Sequence, residues 1–78
     1  MTYEKTIDWI ADLFEEDRKD IYPERSRDEI EAWDSLGMLT LMSGFFEKFD
    51  IKLTDDEVDS LKTVNDILNI LKQYGKLD

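Results

Sequence analysis

Trp33-Asp34-Ser35-Leu36-Gly37-Met38-Leu39-Thr40-Leu41-Met42-Ser43-Gly44-Phe45-Phe46-Glu47-Lys48-Phe49 is the densest apolar stretch of the chain. It is too long for an ordinary strand and fits a helix over about 35–49. Asp34 or Ser35 can cap its N-terminus. Positions 39, 42, 46 and 49 form one stripe, and 38, 41 and 45 form a second beside it. Only Glu47 and Lys48 carry charge within the helix. Such a helix is either the central one of a bundle or one that shows apolar surface to a partner.

Working outward, Ile7, Ile10, Leu13 and Phe14 recur at i, i+3, i+6 and i+7 between acidic residues, which predicts a helix over about 3–16. Thr54-x-x-Glu57 is a capping box that opens a short helix over about 55–61, with Val58 and Leu61 turned inward. Thr63 caps a fourth helix over about 63–74, with Val64, Ile67, Leu68 and Leu71 on its apolar face and Gly75 at its stop. Between the first two helices lies a long connection with charged Asp17-Arg18-Lys19-Asp20, the helix breaker Pro23 and a capping pattern at Ser26-x-x-Glu29. A loop this long is uncommon in a small domain unless it has a role. Ile21, Tyr22, Ile30 and Trp33 are expected to pin it to the core. The fold class is therefore all-α: a compact four-helix bundle, three longer helices and one short, forming one domain over 1–78.

Composition narrows the function. The 78 residues include no cysteine and no histidine. Disulfides, thiolate metal sites, the commonest metal ligand and the commonest general base are all missing. An enzyme would have to work with carboxylates alone, and a bundle of this size offers little room for a paired-carboxylate cleft. The D-x-[DN]-x-[DN]-G spacing of a calcium loop is absent, and no metal site is expected. The net charge of −10 opposes binding to nucleic acid or anionic membranes and favours proteins with basic patches. No apolar run nears the ~20 residues of a membrane span, and the first five residues do not read as a signal peptide. A cytoplasmic monomer is expected.

Trp33-Asp34-Ser35-Leu36-Gly37, followed by Glu47-Lys48-Phe49, Asp55-Asp56-Glu57 and Thr63-Val64-x-Asp66, resembles the attachment region of acyl carrier proteins, in the branch where Trp precedes Asp-Ser-Leu. The resemblance spans roughly residues 30–72 well and the first helix in pattern only. It implies a non-catalytic carrier whose serine, here Ser35, receives 4′-phosphopantetheine from coenzyme A through a phosphopantetheinyl transferase. Acyl or aminoacyl groups would then ride on the arm's thiol as thioesters, between acyl-loading and acyl-using enzymes. Asp-Ser-Leu occurs again at 59–61, but only Ser35 follows the long loop and opens the long helix.

Asp34 could cap the helix or, as the resemblance implies, pair with the transferase and its metal. Leu36 could be core or partner contact. Asp55, Asp56, Glu57 and Asp59 could merely favour a helix N-terminus, at ~0.3–1 kcal/mol each, or form a docking surface for basic partners, as the resemblance implies. Met42, Phe45 and Phe46, with Met38, could be core or could line an acyl pocket, for which methionine is adaptable. Gly37 and Gly44 each cost roughly 1 kcal/mol against alanine. Gly44 would permit close helix packing, and Gly37 would leave room for the arm or a partner loop. The resemblance implies an acidic second helix in carriers for fatty acid synthesis; with Gly37, Thr40, Ser43 and Gly44 in place of charges that docking stripe is weak here, which points to a specialised pathway. The alternative class is an acidic helical adaptor that binds proteins and is never modified.

Overall fold

The computed structural model describes all residues, 1–78, and contains four α-helices and no strand. They are α1 (Tyr3–Phe14), α2 (Ser35–Phe49), α3 (Asp55–Ser60) and α4 (Val64–Gln73). The radius of gyration is 11.2 Å, against about 11.5 Å expected for a folded chain of this length. No helix is long and apolar enough to cross a membrane.

Local chemistry sets each boundary. The Lys5 N–H donates to Thr2 Oγ1 at the head of α1 (3.2 Å). α1 stops two residues earlier than the sequence predicts because Glu15 takes a left-handed conformation, φ 54°, and its N–H turns back to the last carbonyls. Asp50 ends α2 in the same way, φ 58°. The capping boxes at Thr54/Glu57 and Thr63/Asp66 both form. Gly75, at φ 72°, follows α4 in the backbone region that glycine occupies without strain.

One core of buried side chains draws on every longer helix and on the connection. Trp9 of α1 meets Phe45 and Phe49 of α2 edge-on, with ring centroids 5.6 and 5.0 Å apart. Gly44 makes that approach possible: a β-carbon there would stand 3.1 Å from the Trp9 ring and 3.3 Å from Leu13. Ile21, Ile30 and Trp33 pin the connection as expected. Tyr22 does not and is exposed. Ile21 is extended, φ −107° and ψ 111°, so the next side chain points the opposite way.

The connection itself holds two 3₁₀ turns, Arg18–Asp20 and Arg27–Glu29. The second is the turn foreseen at Ser26, whose N–H donates to the Glu29 carboxylate (2.9 Å). Backbone bonds then stitch the connection to the start of α4. The Arg27 N–H donates to Lys62 O (2.8 Å), the Val64 N–H to Arg25 O (3.0 Å) and the Asn65 N–H to Pro23 O (2.9 Å). These bonds hold the loop before α2 against the bundle and thereby fix where α2 begins.

Candidate functional site

The loop and α2 meet at Ser35. The Gly37 N–H donates to Asp34 Oδ1 (2.8 Å), so Asp34 is the cap and Ser35 is the first helical residue. Gly37 is needed for a reason internal to the chain. A methyl built there would overlap the carbonyl oxygen of Ala32, which passes directly over the first turn. The room that the sequence assigns to an arm or a partner loop is thus filled by the protein's own backbone.

Ser35 is exposed, and no protein group holds its hydroxyl. Ser60, the other serine of an Asp-Ser-Leu tripeptide, donates its hydroxyl to Glu57 O (2.7 Å). Unpaired N–H groups and the positive end of the helix dipole at the start of α2 favour an anion on the Ser35 oxygen. A surface cleft of about 460 Å³ adjoins it, lined by Arg27, Asp28, Ile30, Glu31, Trp33 and Asp34 as well as Ser35. Trp33 is almost wholly buried and stacks on Phe14, centroids 5.2 Å apart. Its Nε1–H has no acceptor, an omission that costs about 1–3 kcal/mol and is outweighed by the burial of so large a ring.

Leu36 is 73% exposed, Leu39 58% and Phe46 56%. Their spacing puts them on the outer face of α2, which settles the two-stripe ambiguity. Met38, Leu41, Phe45 and Phe49 face the core, while residues 36, 39 and 46 show apolar surface to solvent. The three residues considered for an acyl pocket are not brought together. Phe45 is fully buried among Trp9 and Phe49, Met42 is half-buried and Phe46 points outward.

The acidic group on α3 is also divided. Asp55, Asp56 and Asp59 are exposed. Glu57 is occupied in holding the fold: it accepts the Thr54 N–H (2.9 Å) and the Tyr74 hydroxyl (2.9 Å). The Thr54 N–H, and then the Tyr74 hydroxyl, hold the Glu57 carboxyl below the usual glutamate range, while partial burial opposes them. The same contact pushes the Tyr74 phenol up.

A second cleft, which periodicity does not reveal, lies between the connection, α2 and the end of α3. It is about 470 Å³, with Met38, Val58 and Leu61 as its apolar part and Arg27, Asp59 and Lys62 among its polar residues. Its walls come from segments distant in sequence, so no short motif announces it.

The sequence around this serine, and most of the chain with it, aligns with known proteins. The chain is 34% identical over 74 residues to the acyl carrier protein of Clostridium acetobutylicum, covering 95% of this chain and 96% of that one. It belongs to the acyl carrier protein family. The acyl carrier protein of Thermosynechococcus vestitus is 34% identical over 68 residues, 87% of this chain and 84% of the relative. That of Syntrophobacter fumaroxidans is 33% identical over 67 residues, 86% and 83%. No protein-family model matches the chain. Membership makes this chain a non-catalytic carrier of acyl intermediates rather than an enzyme, and 4′-phosphopantetheine is the prosthetic group characteristic of the family.

Proposed function

We propose that Ser35 is the attachment residue for 4′-phosphopantetheine and that this carrier holds acyl or aminoacyl groups as thioesters for a specialised biosynthetic pathway. The observation that carries the reading is the exposed, unengaged hydroxyl at the first residue of α2. Modification by a phosphopantetheinyl transferase joins the Ser35 oxygen to the phosphorus of the incoming group. The phosphoric anhydride of coenzyme A breaks, adenosine 3′,5′-bisphosphate leaves, and the serine proton passes to a base of the transferase. When bound, the arm supplies a thiol at its far end.

This chain's own residues prepare that event. Asp34 caps α2 and keeps the first turn formed. The free N–H groups of that turn and the helix dipole favour the new phosphodiester. Asp34 also stands next to the serine, with a carboxylate available to the transferase and its metal. Leu36 offers an exposed apolar contact beside the attachment point, and Leu39 and Phe46 extend it along α2.

Partner docking then divides between two faces. Asp55, Asp56 and Asp59 supply charge for basic patches on the transferase and on acyl-loading and acyl-using enzymes, while Glu57 chiefly holds α3 in place. The outer face of α2 supplies apolar area instead of the carboxylates of a general fatty-acid carrier, and this supports dedicated partners. The single core supports a monomer acting as one domain over 1–78.

Incubation with a promiscuous phosphopantetheinyl transferase and coenzyme A should raise the intact mass by one phosphopantetheine. Ser35→Ala should abolish the gain and Ser60→Ala should retain it. A gain that survives Ser35→Ala, or none with several transferases, would refute the assignment and favour an unmodified adaptor.

A further inference from the structure

The chain has three arginines, and two are paired. Arg18 reaches Glu4 and Asp8, and Arg25 holds Glu16. Arg27 forms no ion pair, although the chain carries a net charge of −10. It is half-buried, and its Nε–H donates to Trp33 O (2.9 Å), which fixes the plane of the guanidinium and leaves both η nitrogens without a partner. A partly buried cation without an anion is costly, and a fixed guanidinium fork matches a carboxylate in two parallel hydrogen bonds.

Arg27 and Asp28 line both clefts. The Ser35 cleft and the 470 Å³ cleft are therefore neighbours that meet at Arg27. Three carboxylates, Asp28, Glu31 and Asp34, line the Ser35 side with Arg27 as its one cation. The second cleft is balanced: Arg27 and Lys62 stand against Asp28 and Asp59, beside an apolar wall of Met38, Val58 and Leu61. A carboxylate borne by the cargo, away from the helix start itself, is better received there than among the three carboxylates of the Ser35 cleft.

Resting on the assignment of Ser35, we propose that Arg27 is a specificity-determining residue. It selects a short acyl cargo that ends in a carboxylate, a dicarboxylic half-thioester. The cargo's carbons lie against Met38, Val58 and Leu61. Its carboxylate takes the free η nitrogens of Arg27, and Lys62 adds a second positive charge. The step is non-covalent and leaves the thioester intact.

The test loads the protein through the transferase from succinyl-coenzyme A and, separately, from butyryl-coenzyme A. The two cargos match in length and differ in a terminal carboxylate against a methyl. Intact mass confirms loading, and the methyl signals of Met38 and Val58 are followed by NMR alongside the rate of thioester cleavage by hydroxylamine. The succinyl form should shift those signals and, with each cleavage rate taken relative to that of the matching coenzyme A thioester to remove the succinyl group's own anhydride-forming lability, be protected about tenfold better than the butyryl form, as expected for one charge-assisted contact. Arg27→Gln should collapse the difference, and Arg27→Lys should keep part of it. Equal behaviour of the two cargos on the unmutated protein overturns the proposal without relying on any variant. So does a succinyl effect that survives Arg27→Gln in a protein with unchanged circular dichroism. Failure to gain mass from either donor instead overturns the Ser35 assignment, and this inference falls with it.

Discussion

Gly37→Ala tests whether the loop and α2 are fitted to each other at the attachment site. In an unobstructed helix the change gains about 1 kcal/mol from propensity. Here the added methyl would overlap the Ala32 oxygen and lie 2.9 Å from its carbonyl carbon. Ala32 is poorly placed to retreat. The next residue, Trp33, is buried against Phe14, its N–H donates to Ile30 O (3.0 Å), and its carbonyl accepts from Arg27 Nε (2.9 Å). The helix is anchored too, by the Gly37 N–H on Asp34 Oδ1 and the Met38 N–H on Asp34 O, both 2.8 Å. Overpacking at the upper end of its usual range costs about 3 kcal/mol, so the net loss is about 2 kcal/mol after the propensity gain. For a domain of this size that corresponds to a fall in Tm of roughly 10 °C. Urea and thermal unfolding followed by circular dichroism measure it, with Ser43→Ala, exposed on the same helix, as the control that should change stability by less than about 0.5 kcal/mol. Transferase modification should slow in parallel, because the Asp34 cap and the start of α2 are displaced together. A Gly37→Ala protein as stable as the parent, or more so, with unchanged modification would refute the reasoning.

Phe45→Ala should cost about 3–5 kcal/mol, a large share of what so small a domain has, whereas Phe46→Ala should stay within about 0.5 kcal/mol; denaturant unfolding of the two neighbours gives the comparison. Asp34→Ala should lose about 1 kcal/mol with the cap, and Asp34→Asn should restore it, so a slow modification that persists in Asp34→Asn isolates the contribution of the charge to the transferase. The Glu57 carboxyl sits lower in the folded protein than in the unfolded chain, so its contribution is complete above the unfolded value of about 4.3 and is lost as pH falls through the folded one. Glu57→Gln should therefore flatten the acid limb of the stability profile below about pH 4.3, as read by urea midpoints across that range.

Most of the scaffold is legible in the amino-acid order because its causes are local. The Thr54/Glu57 and Thr63/Asp66 boxes announce their helices, and the apolar period finds α1 and α2. What is hidden depends on neighbours. Nothing before Glu15 or Asp50 forecasts a left-handed stop at a residue other than glycine. The two stripes on α2 are equally apolar, and only the packed bundle distinguishes the buried 38, 41 and 45 from the exposed 39 and 46. Phe45 and Phe46 are about 100° apart around a helix, which is why they divide between core and solvent. The position of Ser35 could be read from its motif. The solitary guanidinium of Arg27 could not, since its meaning lies in the absence of a carboxylate opposite and in a wall contributed from Met38 and Leu61.

α3 buries none of its six residues fully and is tethered through a capping box, the Tyr74 hydroxyl and the seated side chain of Leu61. The pouch beside it therefore has one well-packed side, at Met38, and one lightly packed side, at α3. Segments with so little buried surface open at a fraction of the global unfolding free energy, so amide protons of Val58 to Ser60 should exchange far sooner than those of Ile10 or Leu71. On the proposed reading, the size of cargo received there would depend on how readily α3 gives way, and far less on the volume enclosed at rest.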